Sequence, residues 1–60
     1  MTMTGDELKS IRLGLHMTQV ALAARLGVHS VTLCRWECGH VEIPRAIALA
    51  VHQIEGAAND

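Results

Sequence analysis

Much of what this sequence excludes follows from what it has little of. No long apolar run interrupts its 60 residues, so no transmembrane helix is expected; a span needs about 20 consecutive apolar residues. The opening MTMTGDELKS lacks the basic-then-apolar order of a secretory signal, and a cytoplasmic protein is the simplest expectation. Cysteine is sparse: Cys34 and Cys38 are the two present, and in that compartment they are expected to be reduced thiols. There is no paired acidic motif, no glycine-rich phosphate loop and no serine-nucleophile signature. A chain this short can hardly wall a concave site of roughly a few hundred cubic ångströms. An enzyme, a small-molecule substrate and a cofactor are therefore not expected. Strand signals are missing as well, with neither an alternating β-branched run nor an Asn-Gly turn. Positive charge is also limited: five Lys and Arg against six Asp and Glu give a net charge of −1.

What is present is helical. Half of the residues are hydrophobic, generous for a small domain, so one core without disulfides or a bound metal is expected over residues 1–60. Thr4, Gly5, Asp6 and Glu7 read as a capping box opening a first helix from about Gly5 to Leu13, with Leu8, Ile11 and Leu15 at helical spacing. Gly14, able to take positive φ, is expected to stop it. Thr18 is the next N-cap candidate; Leu22, Ala23 and Leu26 form one apolar face, and Gly27 ends that helix. Thr32, Leu33 and Trp36 mark a third helix closed by Gly39. Pro44 suits the first turn of a fourth, whose buried stripe is Ile47, Ala50, Val51 and Ile54. The expected architecture is a compact all-α, four-helix domain with short connections.

The stretch TQVALAARLGVHSVTLCRWECG, Thr18 to Gly39, carries the functional signal. Two short helices across a sharp turn suit DNA, because the major groove admits one helix while a second lies across it and fixes its angle. Gly27 permits the turn, the small Ala23 lets the helices approach, and Val28 fills the angle beneath. Leu33 and Trp36 anchor the back of the third helix, leaving His29, Ser30, Val31, Cys34, Arg35 and Cys38 outward. The plain alternative is a generic helical hairpin, in which Gly27 is only a cap and Trp36 only core.

The segments LKSIRLGLHMTQVALAARLGV, RWECG and IPRAIALAV together resemble the phage repressor and Cro type of helix-turn-helix protein, often called the XRE family, over residues 4–55. That resemblance implies a lambda-repressor-like fold with the helix-turn-helix at about residues 18–37. It also implies Gln19, Ser30, Val31 and Arg35 as the DNA-facing set. Gln19 would touch a phosphate and brace the reading helix. Ser30 and Val31 would lie nearest the base edges. Arg35 would make a bidentate contact to guanine, while Val31 alternatively covers a thymine methyl. His29, Thr32 and Arg45 are expected against the DNA backbone, Arg45 alternatively in the minor groove. Arg12 and Glu37 occupy positions where the family often has an ion pair tying the first helix to the end of the third.

The chain departs from that pattern in four places. Ala21 replaces a frequent Glu, so the second helix's capping box is incomplete. His29 replaces a usual Ser or Thr, so that Ser30 is expected to cap the third helix instead. Glu42 stands where relatives often carry lysine, and the basic residues are few, so nonspecific affinity should be weak with a shallow salt slope. Asp6, Glu7, Glu55 and Asp60 are expected to cluster at the termini, away from the third helix. Cys34 and Cys38, four apart with His29 and His40 nearby, allow a zinc or copper sensor as an alternative, although four ligands converging there would be awkward; no metal is expected. His16 and His52 are expected to be surface residues without a role.

The resulting expectation is a sequence-specific DNA-binding transcriptional regulator, a small autorepressor reading a palindromic operator as a weak homodimer. Leu49, with Val41 and the C-terminal turn, is the expected dimer surface. The alternative is a protein-interaction module on the same scaffold without DNA binding, favoured by the acidic balance and by Val20, Val41 and Leu49 if exposed.

Overall fold

The computed structural model describes residues 3–58. It folds as four helices, α1 (Gly5–Gly14), α2 (Gln19–Leu26), α3 (Ser30–Glu37) and α4 (Arg45–Ala58), with no strand among the described residues. The first three begin with a side-chain cap, and α4 begins at the Pro44 carbonyl. Thr4 Oγ1 accepts from the Glu7 amide at 3.1 Å and Thr18 Oγ1 from the Ala21 amide at 3.1 Å. His29 Nδ1 accepts from the Val31 amide at 3.1 Å, and the Pro44 carbonyl accepts from Ile47 and Ala48. Each cap thus supplies an acceptor to first-turn amides that have no partner within the helix. The residue before each cap is apolar, as is the residue five positions later: Met3 and Leu8, Met17 and Leu22, Val28 and Leu33, Ile43 and Ala48. All eight lie in the core or pack against it, the arrangement of a hydrophobic staple, which fixes the angle at which the chain enters a helix.

The first three helices also end alike. The Met17, Val28 and His40 amides reach back five residues to the carbonyls of Arg12, Ala23 and Arg35, and the preceding amides bond carbonyls three residues back. This double closure needs one left-handed residue, supplied by Gly27 at φ 73° and Gly39 at φ 81°. In α1 it is His16, at φ 58°, and not Gly14 as expected from sequence. The reason is register: α1 runs one residue beyond Leu13, through Gly14, and the reversal falls two residues later. His is among the side chains that tolerate this region.

The core consists of Met3, Leu8, Leu22, Ala23, Leu33, Trp36, Ile43 and Val51. Of the α4 stripe, Val51 is fully buried while Ile47, Ala50 and Ile54 are half-buried. α3 sits at the centre, packed by both α1 and α2, while α4 closes the far side of those two. The start of α1 lies hard against the end of α3: a Cβ on Gly5 would fall 2.5 Å from the Glu37 carbonyl oxygen and 2.6 Å from that of Trp36. This corrects the expected separation of the acidic residues from the third helix, since Asp6 and Glu7 belong to the turn abutting its C-terminal end. Asp60 lies outside the described residues. Among the described residues, no helix is long and apolar enough to cross a membrane.

Candidate functional site

α3 is a short helix fixed from one side. A period of 3.6 residues places Leu33, Trp36 and Glu37 on one face, and the structure packs them inward. Leu33 is fully buried and Trp36 nearly so. The Glu37 side chain is only 4% exposed and its partner Arg12 only 11%. Arg12 grips Glu37 with two nitrogens: Nε donates to Oε2 at 2.7 Å and Nη2 to Oε1 at 3.2 Å. Arg12 Nη1 donates to the Met17 carbonyl at 3.0 Å, and Gln19 Nε2 donates to Glu37 Oε1 at 3.2 Å. The Glu37 carboxylate thus ties α1 and the first residue of α2 to the end of α3, and Arg12 adds the loop between them. No buried side-chain nitrogen or oxygen is left without a partner among the described residues, the condition under which such a network holds rather than loosens a fold.

The opposite face of α3 is free. Val31, Arg35 and Cys38, spaced i, i+4 and i+7, form one exposed ridge; Val31, at 49% exposure, is a large apolar side chain left in solvent. Ser30, Thr32 and Cys34 flank the ridge, each half-buried. His29 is exposed at the start of α3, but its Nδ1 is committed to the cap. Sequence expectation gave that cap to Ser30; the structure gives it to His29, because an imidazole nitrogen two residues before the Val31 amide reaches it as a serine hydroxyl would. Ser30 is instead the first residue of the helix. Arg45 is exposed as the first residue of α4, on a different element. Gln19 belongs to the brace behind α3, through its bond to Glu37.

One contact escaped the sequence reading, and another was anticipated only as a spacing. The contact at Gly5, which holds α1 against α3, left only a glycine inside an otherwise good capping box as a signal. The second is the pairing of the thiols: Cys34 Sγ and Cys38 Sγ lie 3.9 Å apart. The hydrogen bond to Cys34 is the largest influence raising the Cys38 pKa from its ordinary 9.0, with the charge of Cys34 next and smaller contributions from desolvation and Glu37; Lys9 opposes them. Spacing four apart on a helix had already made the two neighbours; the hydrogen bond between them is what the structure adds. Among the described residues no group of three His, Cys, Asp or Glu side chains is placed to hold a metal ion.

Comparison of the chain with protein-family models, curated proteins and solved structures found no match in any of the three.

Proposed function

We propose that this protein is a sequence-specific DNA-binding transcriptional regulator of the helix-turn-helix type, a small cytoplasmic autorepressor resembling the lambda-repressor and Cro class. One observation carries the proposal: α3 is braced from behind by Leu33, Trp36 and the Glu37 network, while its ridge of Val31, Arg35 and Cys38 faces solvent. A reading helix needs that division, because base recognition demands a side-chain row held at fixed height and angle. In this reading Arg35 donates to the O6 and N7 acceptors of a guanine, and Val31 packs on a thymine methyl. Ser30 contacts a base edge near the helix start. His29, Thr32, Gln19 and Arg45 face phosphates, Gln19 with the amide hydrogen and oxygen that its bond to Glu37 leaves free.

Each module reads few base pairs, so a two-fold dimer on a palindromic site is the economical arrangement, with half-sites about 34–36 Å apart. Leu49 and Val41, at 57% and 49% exposure, supply the proposed dimer surface, and so small a patch makes a weak dimer that DNA stabilises by mass action.

The second reading, an interaction module that binds protein and not DNA, draws support from the net charge of −1 and from exposed Val20, Val31, Val41 and Leu49. Selection from a random-site duplex library at low salt separates the two. The DNA reading expects an enriched palindrome whose base preference at one position per half-site relaxes in Arg35→Ala. An unenriched library at low salt overturns it in favour of the second reading.

A further inference from the structure

The geometry points to Cys34 and Cys38 as a bidentate dithiol site for a monosubstituted trivalent arsenical, a soft three-coordinate centre whose third valence is already filled by carbon. The sulfurs stand 3.9 Å apart, one half-buried on α3 and the other exposed at its end. That separation sorts the bridging chemistries. A direct disulfide bond is 2.03–2.05 Å, so closing one would draw the sulfurs together by nearly half their distance. A pyramidal soft atom with bonds of about 2.3 Å to each sulfur and an angle of roughly 90–100° sets them about 3.3–3.5 Å apart, within a side-chain rotation of the observed spacing. A linear two-coordinate metal with the same bonds would need about 4.6 Å.

The surroundings narrow the occupant further. A four-coordinate metal needs more donors, and two neighbouring candidates are committed elsewhere. The His29 Nδ1 caps α3, and the Glu37 carboxylate is held by Arg12 and Gln19. No third His, Cys, Asp or Glu among the described residues completes a metal site. A centre requiring two sulfurs and nothing else from the protein fits what is there, and the exposure of Cys38 leaves its organic substituent in solvent. The reaction needs no oxidant. An organoarsenic(III) oxide condenses with both thiols, two arsenic–sulfur bonds form, the arsenic–oxygen bonds break, and the oxygen leaves with both thiol protons as one water. Arsenic stays trivalent. The Cys34 to Cys38 hydrogen bond keeps the pair in contact before the ligand arrives, and Gly39, in the left-handed region just beyond, ends the helix without a side chain to obstruct it.

The test is addition of phenylarsine oxide to the reduced chain, read by intact mass and by titration of free thiols, with excess glutathione as a monothiol competitor. The expected result is one arsenical per chain with loss of two thiols, surviving glutathione and reversed by a vicinal dithiol. Cys34→Ser and Cys38→Ser each lose the chelate and bind at least about 100-fold more weakly. Circular dichroism confirms that each variant is folded. If Cys34→Ser unfolds, Cys38→Ser, altered at an exposed position, carries the comparison. One thiol lost per arsenical, a parent adduct stripped by glutathione, or a folded single variant that retains the adduct as well as the parent overturns the site.

Discussion

The two sides of α3 differ in how much the fold asks of them. The inner side is specified several times over. Leu33 and Trp36 fill the core, Glu37 is held by three donor nitrogens from Arg12 and Gln19, and the last carbonyls lie against Gly5. On the outer side Val31, Arg35 and Cys38 stand in solvent, and a hydrogen bond between side chains joins the two cysteines. Residues on the inner side are explained by packing and satisfied polarity. Packing makes no such demand on Val31, Arg35 and Cys38, so in the proposed reading these side chains are free to serve binding without cost to the fold.

The largest effect that tests this contrast is expected at Glu37. Glu37→Ala leaves the Arg12 guanidinium in a site that excludes water, with the Met17 carbonyl as its remaining partner. Breaking a buried pair this way costs about 3–5 kcal/mol, a large share of the stability of a small domain, so much of the population should be unfolded at room temperature. Thermal melting followed by circular dichroism measures it. A midpoint within a few degrees of the parent's would mean that the inner side is not held by this carboxylate. Replacing both partners by apolar residues sharpens the result, because a well-packed apolar pair recovers most of the loss.

A smaller effect separates the two glycines of α1. Gly5→Ala places a methyl group within 3 Å of two backbone carbonyl oxygens, atoms that cannot rotate aside, so α1 must back away from α3 at a cost of about 1–3 kcal/mol. Gly14→Ala meets nothing within 4 Å and has no positive φ to lose, so it should gain about 0.5–1 kcal/mol from helix propensity. Denaturant midpoints for the two variants should move in opposite directions; a shift of the same sign in both would remove the close approach at Gly5.

Much of this division was readable in the sequence, and the unread parts share a cause. The helices, their caps at Thr4 and Thr18 and the turn at Gly27 are local properties, set within four or five residues. Met3 and Ile43 entered the core unforeseen because each lies outside a helix, where periodicity has no phase. The repeated apolar pair around every cap was the sign that would have found them. Gly14 was read as the helix end because glycine permits a left-handed residue without requiring one, and the reversal came at His16 instead. His29 was passed over as a cap because its side chain is less often seen there than Ser. The network at Glu37 draws on three segments; the Arg12 pair and a bracing role for Gln19 were expected through resemblance rather than through any local pattern, while the bond from Arg12 to the Met17 carbonyl was not. The outer ridge followed from helical spacing once α3 was placed; what it touches is the part that spacing does not encode.

On the outer side, Arg35→Ala should leave the melting midpoint nearly unchanged, because Arg35 is exposed and exposed substitutions fall within about 0.5 kcal/mol. In the proposed DNA-binding reading, the same change should weaken binding to a selected operator by about 1–3 kcal/mol and relax preference at one base pair per half-site. Loss of stability without loss of base preference would move Arg35 to the structural side of the helix. Equal weakening on every sequence would make it a phosphate contact.

The smallest effect concerns the thiols, and it asks whether their bond on the outer side matters to the fold. Cys38 has its pKa raised chiefly by the hydrogen bond to Cys34. The thiolate is the form that alkylates, so at mildly alkaline pH the raised pKa means less thiolate and slower reaction. Cys34→Ala removes the largest cause, the Cys38 pKa falls back toward 9.0, and its alkylation by iodoacetamide near pH 8 should speed up. Well above both values the thiol is ionised in either protein, so the ratio should shrink toward unity as pH rises. The melting midpoint should stay close to the parent's, since Cys34 lies outside the buried core. A rate that is unchanged or lower in the variant would mean that the thiols are not in contact in solution. A faster rate accompanied by marked destabilisation would place Cys34 among the residues that hold α3 rather than those it presents.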